Sequence, residues 1–352
     1  MRIDFLFSVP LVLTATMTLG ATYQRSSQLT GQSFLDAFNF QAISDPTHGR
    51  VTYVNESTAK ADGLVSVANN KLTLRADYTT KLSSSGSGRK SFRIESTSQY
   101  KTHVAIFDIA HMPQGCGTWP AVCVCNLLWS VDLKLTMGQG SRGRLAESRS
   151  QGEVDIVEGV NDQTPNKCSL HTGSSKITFE GRKLWVLKSV FRLHHALFWL
   201  NDRVSTVDGT DCYAYDNGNA GCGVKINDNK SYGPQFNDNG GGCSARITGN
   251  QIFFWERTSS SVPSDVKSPG SNVNTSNWGT PAAYFPNTHC DFSTHFGAHN
   301  IIINLTFCGD WAGSSSVYAN SGCPSTCVDY VNNNPSAFKN AYFEFNSLNI
   351  YQ

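Results

Sequence analysis

The chain has 352 residues, a length that fits one large all-β domain or two smaller domains. Its 28 Lys and Arg residues are balanced by 27 Asp and Glu residues, so it lacks the strongly charged surface that nucleic acid or an anionic membrane would require. Only 16% of the residues are charged, and this low fraction favours a secreted, helix-poor protein.

Residues 1–21 predict a signal peptide. Met1 and Arg2 precede an apolar run over residues 5–19, and the small residues Gly20 and Ala21 follow as a cleavage site. The run is too short to span a membrane stably, so an N-terminal membrane anchor is the less favoured alternative. We therefore expect a secreted, extracellular protein, in which four Asn-x-Ser/Thr sequons become available for glycosylation, at Asn55, Asn229, Asn274 and Asn304.

The chain contains eleven Cys residues, an odd number that leaves at least one thiol unpaired. In an oxidising compartment we expect most of them to form disulfides. The spacing of Cys123 and Cys125 does not suit a zinc knuckle, and Cys323 and Cys327 have no partner pair with His, so no metal site is expected. No motif requires a cofactor. A structural calcium ion stays open as an alternative, although no oxygen-rich loop in the sequence supports it.

Alternation of apolar and polar residues predicts β-strands along the chain. Leu72 and Leu74 share one strand face, and Phe92 and Ile94 share another. The apolar runs 103–109 and 301–307 suit central strands, and the last strand is expected over 342–350. Turns rich in Gly and Asn separate these segments, and no linker divides them. The pattern predicts a sandwich of two antiparallel sheets in a single domain over residues 22–352.

Three carboxylates lie close together in the strand-like segment 152–159. On a strand, Glu153 and Asp155 point to the same face, whereas Glu158 would point to the opposite face. A β-bulge between Asp155 and Glu158 would bring all three to one surface. Such crowding raises the pKa of one carboxyl group, and a protonated acid beside a carboxylate is the pair that glycoside hydrolysis needs. From spacing alone, an acidic solvated face on an edge strand explains the segment equally well.

The segment Glu153 to Glu158 resembles the E-x-D-x-x-E catalytic signature of family 16 glycoside hydrolases of the laminarinase type. Similarity to fungal secreted endo-1,3(4)-β-glucanases extends from about Phe34 to Ile350. The further segments that carry the similarity are Asp45 to Gly49, Ser91 to Ile94, His111 to Ala121, Glu158 to Asp162, Leu170 to Thr172, Asn277 to Pro281 and Asn304 to Trp311.

The resemblance implies an all-β, concanavalin-like jelly-roll sandwich with a concave substrate cleft. By motif position, Glu153 would be the nucleophile and Glu158 the general acid and then general base. Asp155 would hold and electrostatically tune Glu153. The expected partner is a β-glucan polysaccharide, and the protein is expected to be a monomer.

Four further residues are candidates for contact with the sugar chain. His171 would lie near the reacting sugar, with a simple strand residue as the alternative. Trp278 lies between polar turns without a periodic apolar partner set, which favours a sugar-stacking platform over a core position. Trp119 and Arg93 would line the cleft, because aromatic faces and polar side chains both suit sugars.

Two spans depart from the family pattern. Residues 123–151 lack the Trp residues that the family usually carries beside the nucleophile, and residues 184–200 are unusually apolar and basic. We hypothesise that both are retained introns; peptides of the native protein from either span would contradict this. Two alternatives for the second span are less favoured. They are an amphipathic membrane-surface helix and a metal site at His194 and His195, and adjacent His side chains point to different sides of either a helix or a strand. A third departure makes Cys243 the candidate unpaired thiol.

The expected activity is that of a secreted endo-β-glucanase that cleaves β-1,3 linkages, and also mixed 1,3-1,4 linkages, with retention of configuration. Two alternatives stay open. One is a cell-wall transglycosylase, which would use the same covalent intermediate but transfer the sugar to another sugar. The other is a catalytically impaired glucan-binding protein, which the atypical spans would explain and the three acids argue against.

Overall fold

The computed structural model describes residues 21–125, 152–172, 205–214, 218–248, 251–285 and 292–352. Residues 1–20 of the predicted signal peptide, residues 126–151 of the first atypical span and the whole second span, 184–200, lie outside the described residues. Within the described ranges, no helix combines the length and the apolar character needed to cross a membrane.

Strands dominate the described residues. In chain order they are β1 (Thr22–Leu29), β2 (Phe38–Phe40), β3 (Val51–Tyr53), β4 (Val65–Ala68), β5 (Lys71–Arg75), β6 (Arg89–Ser91), β7 (Arg93–Ser96), β8 (Val104–His111), β9 (Thr118–Cys125), β10 (Glu153–Glu158), β11 (Lys167–His171), β12 (Ser205–Asp208), β13 (Cys222–Ile226), β14 (Gly242–Ile247), β15 (Gln251–Glu256), β16 (Asn272–Asn274), β17 (Ala283–Tyr284), β18 (Asn300–Phe307) and β19 (Tyr342–Tyr351).

Helices are short and occupy the connections between strands. The α-helices of the described ranges are Gly31–Asp36, Glu56–Ala61, Gly233–Asp238, Ser264–Lys267, Phe292–His295, Gly309–Ala312, Ser315–Asn320 and Cys327–Asn333. The 3₁₀ helices are Asn229–Ser231, Thr275–Asn277 and Pro335–Phe338.

Two large antiparallel sheets form the body of the described structure, as predicted. The first follows the order β16, β1, β19, β8, β14, β15 and β17, with β5 on β19 and β4 on β5. The second follows the order β12, β13, β11, β10, β9, β18, β7 and β2. A small parallel pair, β3 and β6, lies outside both sheets. Because β10 is an inner strand of the second sheet, the alternative of an acidic edge strand is excluded.

Alternating side chains build the core between the sheets. Ile301, Ile303 and Leu305 of β18 are fully buried in this core, as the alternation predicts. Their counterparts in the first sheet are Phe343 and Phe345 of β19, which are also fully buried. Full burial of each such side chain contributes about 1.5–3 kcal/mol to folding.

Three disulfides link the described chain, and they are Cys116–Cys323, Cys212–Cys222 and Cys308–Cys327. Among the described cysteines, four thiols are free and buried, at Cys123, Cys125, Cys168 and Cys243. The prediction that Cys243 is unpaired is therefore confirmed. Cys123 and Cys125 open the atypical span 123–151, but both belong to β9 and pair with strands on either side, so the retained-intron hypothesis for this span now concerns residues 126–151 only.

Candidate active site

The predicted β-bulge is present in β10. The pairing of β10 with β9 shifts between Asp155 and Val157, so that one extra residue is accommodated on β10. Glu153 and Asp155 lie before the shift, opposite Cys125 and Cys123, and Glu158 lies after it, opposite Ala121. The extra residue turns the Glu158 side chain to the same side of the sheet as Glu153 and Asp155. All three carboxylates therefore lie on the side of the second sheet that faces away from the core.

We call this side the carboxylate face and define it by Glu153, Asp155, Glu158, His171 and Arg93. Paired residues of antiparallel strands point to the same side of a sheet, and His171 pairs with Glu153. Arg93 joins the same side through β18, where it pairs with Asn304, and Asn304 pairs with Ala121. The register thus brings together residues from three strands, β7, β10 and β11.

The three acids differ in burial and in pKa. Asp155 is only 4% exposed, whereas Glu153 and Glu158 are partly exposed. Burial raises the pKa of Asp155 to about 7, against the opposing charge of Lys167. Burial, and next the charge of Asp155, raises the pKa of Glu158 to about 8. Glu158 is therefore protonated at neutral pH and can donate a proton.

Trp119 holds Glu158 from the side. Its indole Nε1 donates a hydrogen bond to Glu158 Oε1 at 2.9 Å, and the backbone N–H of Glu158 donates to Asn166 Oδ1 at 2.8 Å. Trp311 packs edge-on against Trp119 with ring centroids 5.5 Å apart, and Lys167 Nζ lies 5.4 Å from the Trp311 ring centre. Two indole rings thus form an aromatic wall beside Glu158.

Trp311 was not among the predicted site residues, although a signal was available. It ends the segment Asn304 to Trp311 that carries the family resemblance, directly after Cys308, Gly309 and Asp310. Its contact with Trp119 depends on the chain returning from a distant position, which the sequence pattern does not specify.

Asn161 ties the two sides of the aromatic wall together. This side chain is 1% exposed, accepts a hydrogen bond from the Gly117 N–H at 2.7 Å and donates to the Ala312 carbonyl at 2.9 Å. Its φ of 54° lies in the left-handed region that Asn tolerates better than most residues. Gly117 precedes Trp119 and Ala312 follows Trp311, so Asn161 links the backbones that carry both indoles.

His171 contacts Asp155 rather than standing alone on its strand. Its Nε2 lies 3.2 Å from Asp155 Oδ2, and the ring is 6% exposed. The opposite ring atom, Nδ1, is buried without a hydrogen-bond partner. Gly221 closes over the ring, because a Cβ at this position would lie 2.7 Å from His171 Cε1. The imidazole is thereby held between Asp155 and a backbone that only glycine accommodates.

Arg93 lies on the carboxylate face but is deeply buried. It is 5% exposed, its Nε donates to Gln41 Oε1 at 3.0 Å, and it interacts electrostatically with Glu153. Burial favours a role in holding the Glu153 carboxylate over direct contact with a long sugar chain.

Trp278 lies away from the carboxylate face, and the prediction of a sugar-stacking platform is corrected. It is 3% exposed and packs edge-on against Phe253 and Trp255, with ring centroids 5.4 and 5.5 Å away. Its Nε1 donates to Asp265 Oδ1 at 3.0 Å. These partners belong to a second core on the outer side of the first sheet, where Val104 and Ile106 point. The apolar partners of Trp278 come from distant strands, so local periodicity did not reveal them.

One group of side chains in the described ranges has the donor atoms and proximity to hold a metal ion. It consists of Cys123, Cys125 and Glu153, whose ligand atoms all lie within 4.8 Å of one another. The group shares Glu153 with the carboxylate cluster.

Comparison with known proteins agrees with this geometry. The family model of the XgeA-like catalytic GH16 domain matches residues 38–351. This family match, on a sandwich of two antiparallel sheets with three carboxylates on an inner strand, identifies the chain as a glycoside hydrolase. The chain belongs to glycoside hydrolase family 16.

Curated relatives are fungal. A probable glycosidase of Schizosaccharomyces pombe is 38% identical over 336 residues, which cover 94% of this chain and 70% of the relative. A probable endo-1,3(4)-beta-glucanase of Aspergillus fumigatus is 39% identical over 343 residues, covering 94% of this chain and 46% of the relative. The chain thus spans about half the length of the Aspergillus relative that it matches.

Solved structures share the jelly-roll fold. Laminarinase 16A from Phanerochaete chrysosporium, solved with beta-glucans in its donor and acceptor sites, has a TM-score of 0.81 and 46% identity, covering 94% of this chain and all of the other. An elongating family 16 beta-1,3-glucosyltransferase has a TM-score of 0.74 and 35% identity, with the same coverage. The all-β jelly-roll prediction is confirmed.

Proposed function

We propose that this chain is a retaining endo-β-glucanase that hydrolyses β-1,3-linked glucan and also mixed 1,3-1,4-linked glucan. The observation that carries the proposal is the bulged strand β10, which presents Glu153, Asp155 and a protonated Glu158 on one face. The substrate class follows from relatives that are named endo-1,3(4)-beta-glucanases and from a laminarinase solved with beta-glucans bound.

In the proposed mechanism the two glutamates have complementary roles. The Glu153 carboxylate attacks the anomeric carbon, the glycosidic C–O bond breaks, and Glu158 donates its proton to the leaving oxygen. Glu158, now ionised, removes a proton from water. That water attacks the anomeric carbon and releases Glu153 as a carboxylate, and the two displacements together retain the configuration.

Asp155 and His171 support the loss and return of the Glu158 proton. Asp155 lies between the two glutamates along the strand and contacts His171 at 3.2 Å. Its negative charge is one of the two causes that raise the pKa of Glu158. We assign Asp155 as the residue that keeps Glu158 protonated before the first step, and His171 as the residue that fixes the orientation of Asp155.

Replacement of each glutamate tests the assignment. Glu158→Gln should lower the rate of laminarin hydrolysis by about 10²–10⁴-fold, the usual contribution of a positioned acid or base, and Glu153→Gln, which removes the nucleophile, should lower it at least as much. Glu256→Gln is the matched control, because Glu256 lies on β15 of the other sheet and pairs with Lys230 at 2.9 Å. Proton NMR of the first product should show the β-anomer. Full activity of Glu153→Gln, or an α-anomer as the first product, would show the assignment to be wrong.

Sugar transfer is the second candidate activity. It is favoured by the similarity to an elongating beta-1,3-glucosyltransferase at 35% identity. A transferase would use the same covalent intermediate, but a sugar hydroxyl would replace water in the second step. Incubation at high laminari-oligosaccharide concentration separates the two, because products longer than the donor identify transfer. Glucan binding without turnover would instead support a protein that has lost catalysis.

We also propose that the protein is secreted and glycosylated. Of the four sequons, Asn55 and Asn229 are exposed, whereas Asn304 is 8% exposed within β18. Mass spectrometry of protein from culture medium should find glycans at Asn55 or Asn229 and none at Asn304. Retention of the chain inside the cell would contradict secretion.

A further inference from the structure

Two free thiols lie side by side on the carboxylate face, next to the proposed nucleophile. Cys123 and Cys125 are buried, and their Sγ atoms are 3.4 Å apart. Cys125 pairs directly with Glu153 across β9 and β10. Together with the Glu153 carboxylate they form the group whose ligand atoms all lie within 4.8 Å of one another.

The strand conformation explains how cysteines two positions apart bring their thiols together. Zinc sites in turns use Cys residues three to five positions apart, and by that standard Cys123 and Cys125 do not suit a zinc knuckle. On a strand, residues two positions apart point to the same side, so Cys123 and Cys125 present both thiols together. The spacing that argues against a zinc knuckle is therefore the spacing that a strand requires.

The dimensions fit a small thiophilic cation. Zinc bonds of about 2.3 Å to sulfur and about 2.0–2.2 Å to oxygen place tetrahedral ligand atoms about 3.5–3.8 Å from one another. The observed S–S distance of 3.4 Å is close to this range, and a Glu153 carboxylate oxygen lies within 4.8 Å of both sulfurs, so it has to move closer when a cation binds.

The charges also fit. Cation binding releases the two thiol protons to solvent, so the ligands then carry three negative charges, two on thiolates and one on the carboxylate. The buried Arg93 guanidinium interacts electrostatically with Cys123, Cys125 and Glu153. A divalent cation together with Arg93 supplies three positive charges, so the occupied site is neutral. A buried site is most favourable when its charges balance in this way.

We propose that Cys123, Cys125 and Glu153 form a binding site for a thiophilic divalent cation such as Zn²⁺ or Cd²⁺, with a fourth coordination position left open. Occupation withdraws the Glu153 carboxylate from the substrate and reversibly inhibits hydrolysis. The inhibitory part rests on the proposed function, because it requires Glu153 to be the nucleophile. The binding part does not.

Binding is tested on the full-length chain with Cd²⁺ as the probe. Titration should produce a thiolate-to-cadmium charge-transfer band in the ultraviolet that saturates at one equivalent. The double variant Cys123→Ser/Cys125→Ser should lose the band. Cys243→Ser is the matched control and should keep it, because Cys243 is a buried free thiol in the second core on the outer side of the first sheet. A near-ultraviolet circular dichroism spectrum verifies that each variant is folded.

Three results would overturn the proposal. They are the absence of a band in the native chain, an equal band in the double variant, and a Cys123–Cys125 disulfide found by mass spectrometry of the isolated chain. The first and third need no variant, so a failure of the double variant to fold leaves the test intact.

Inhibition is tested separately with Zn²⁺ and laminarin. At a free Zn²⁺ concentration about ten times its Kd, mass action predicts about a tenfold loss of hydrolysis, reversed by a chelator. Cys243→Ser should be inhibited to the same extent. If Cd²⁺ binds but Zn²⁺ does not inhibit laminarin hydrolysis, the inhibitory role alone is refuted. Cadmium binding to a chain that does not hydrolyse laminarin would refute the proposed function and leave the metal site standing.

Discussion

The hydrogen bond from Trp119 to Glu158 makes a testable prediction about pH dependence. Trp119→Phe removes the indole N–H, 2.9 Å from Glu158 Oε1, and keeps an aromatic ring against Trp311. This hydrogen bond stabilises the ionised carboxylate and so lowers the pKa of Glu158, against the larger effect of burial. Its loss should raise that pKa further.

The size of the change follows from hydrogen-bond energies. A bond to a charged group contributes about 1.5–3 kcal/mol and one to a neutral group about 0.5–1.5 kcal/mol, so the ionised form loses about 1–1.5 kcal/mol more. One pKa unit corresponds to about 1.4 kcal/mol. The pKa of Glu158, about 8 in the native chain, should therefore rise by about one unit in the variant.

The assay is the pH profile of kcat/KM on laminarin. The alkaline limb reports loss of the proton from the general acid in the free enzyme, so it should move to higher pH in Trp119→Phe. Trp311→Phe is the matched control, since it makes the same aromatic change beside the wall without removing the hydrogen bond to Glu158. An unchanged limb, a shift to lower pH, or an equal shift in Trp311→Phe would refute the reasoning.

Three further predictions concern other parts of the molecule. Asp155→Asn removes a negative charge that raises the pKa of Glu158, so the alkaline limb should move to lower pH, opposite to the Trp119→Phe shift. Trp278→Ala should lower the free energy of unfolding by about 3–5 kcal/mol, measured by urea denaturation, and should leave the KM for laminarin unchanged. A raised KM would show that Trp278 contacts the substrate after all. Replacing both Cys116 and Cys323 by Ser should lower the free energy of unfolding by about 2–5 kcal/mol, because the disulfide joins residues 207 positions apart. An unchanged Tm would contradict this.

The carboxylate cluster was predictable because its logic is local. Strand alternation is a property of neighbouring residues, so the five-residue interval from Glu153 to Glu158 meant that a bulge was needed if all three carboxylates were to share one face. The pairing with β9 confirms that bulge between Asp155 and Val157. The direction of each carboxylate was thereby available before the structure, whereas the pKa values needed the burial that only packed neighbours provide.

The aromatic residues show where local reasoning ends. Trp278 was assigned to the substrate because its neighbours in sequence are polar, yet Phe253 and Trp255 surround it. Trp311 is not a predicted site residue, yet it packs against Trp119 beside Glu158. An aromatic ring suits a core and a sugar equally well, so its role depends on which distant segment covers it.

By itself, the sequence indicated the main inner strands, the two-sheet class and the carboxylate strand, together with the bulge that a shared carboxylate face needs. These follow from side-chain alternation and from one odd interval, both of which act over a few residues. The tertiary structure alone decided that Cys123 and Cys125 meet Glu153, that Asn161 links the two indoles, and that Trp278 is buried. Each of these depends on register between strands or loops far apart in sequence, where the free energy of packing, rather than local periodicity, selects the neighbours.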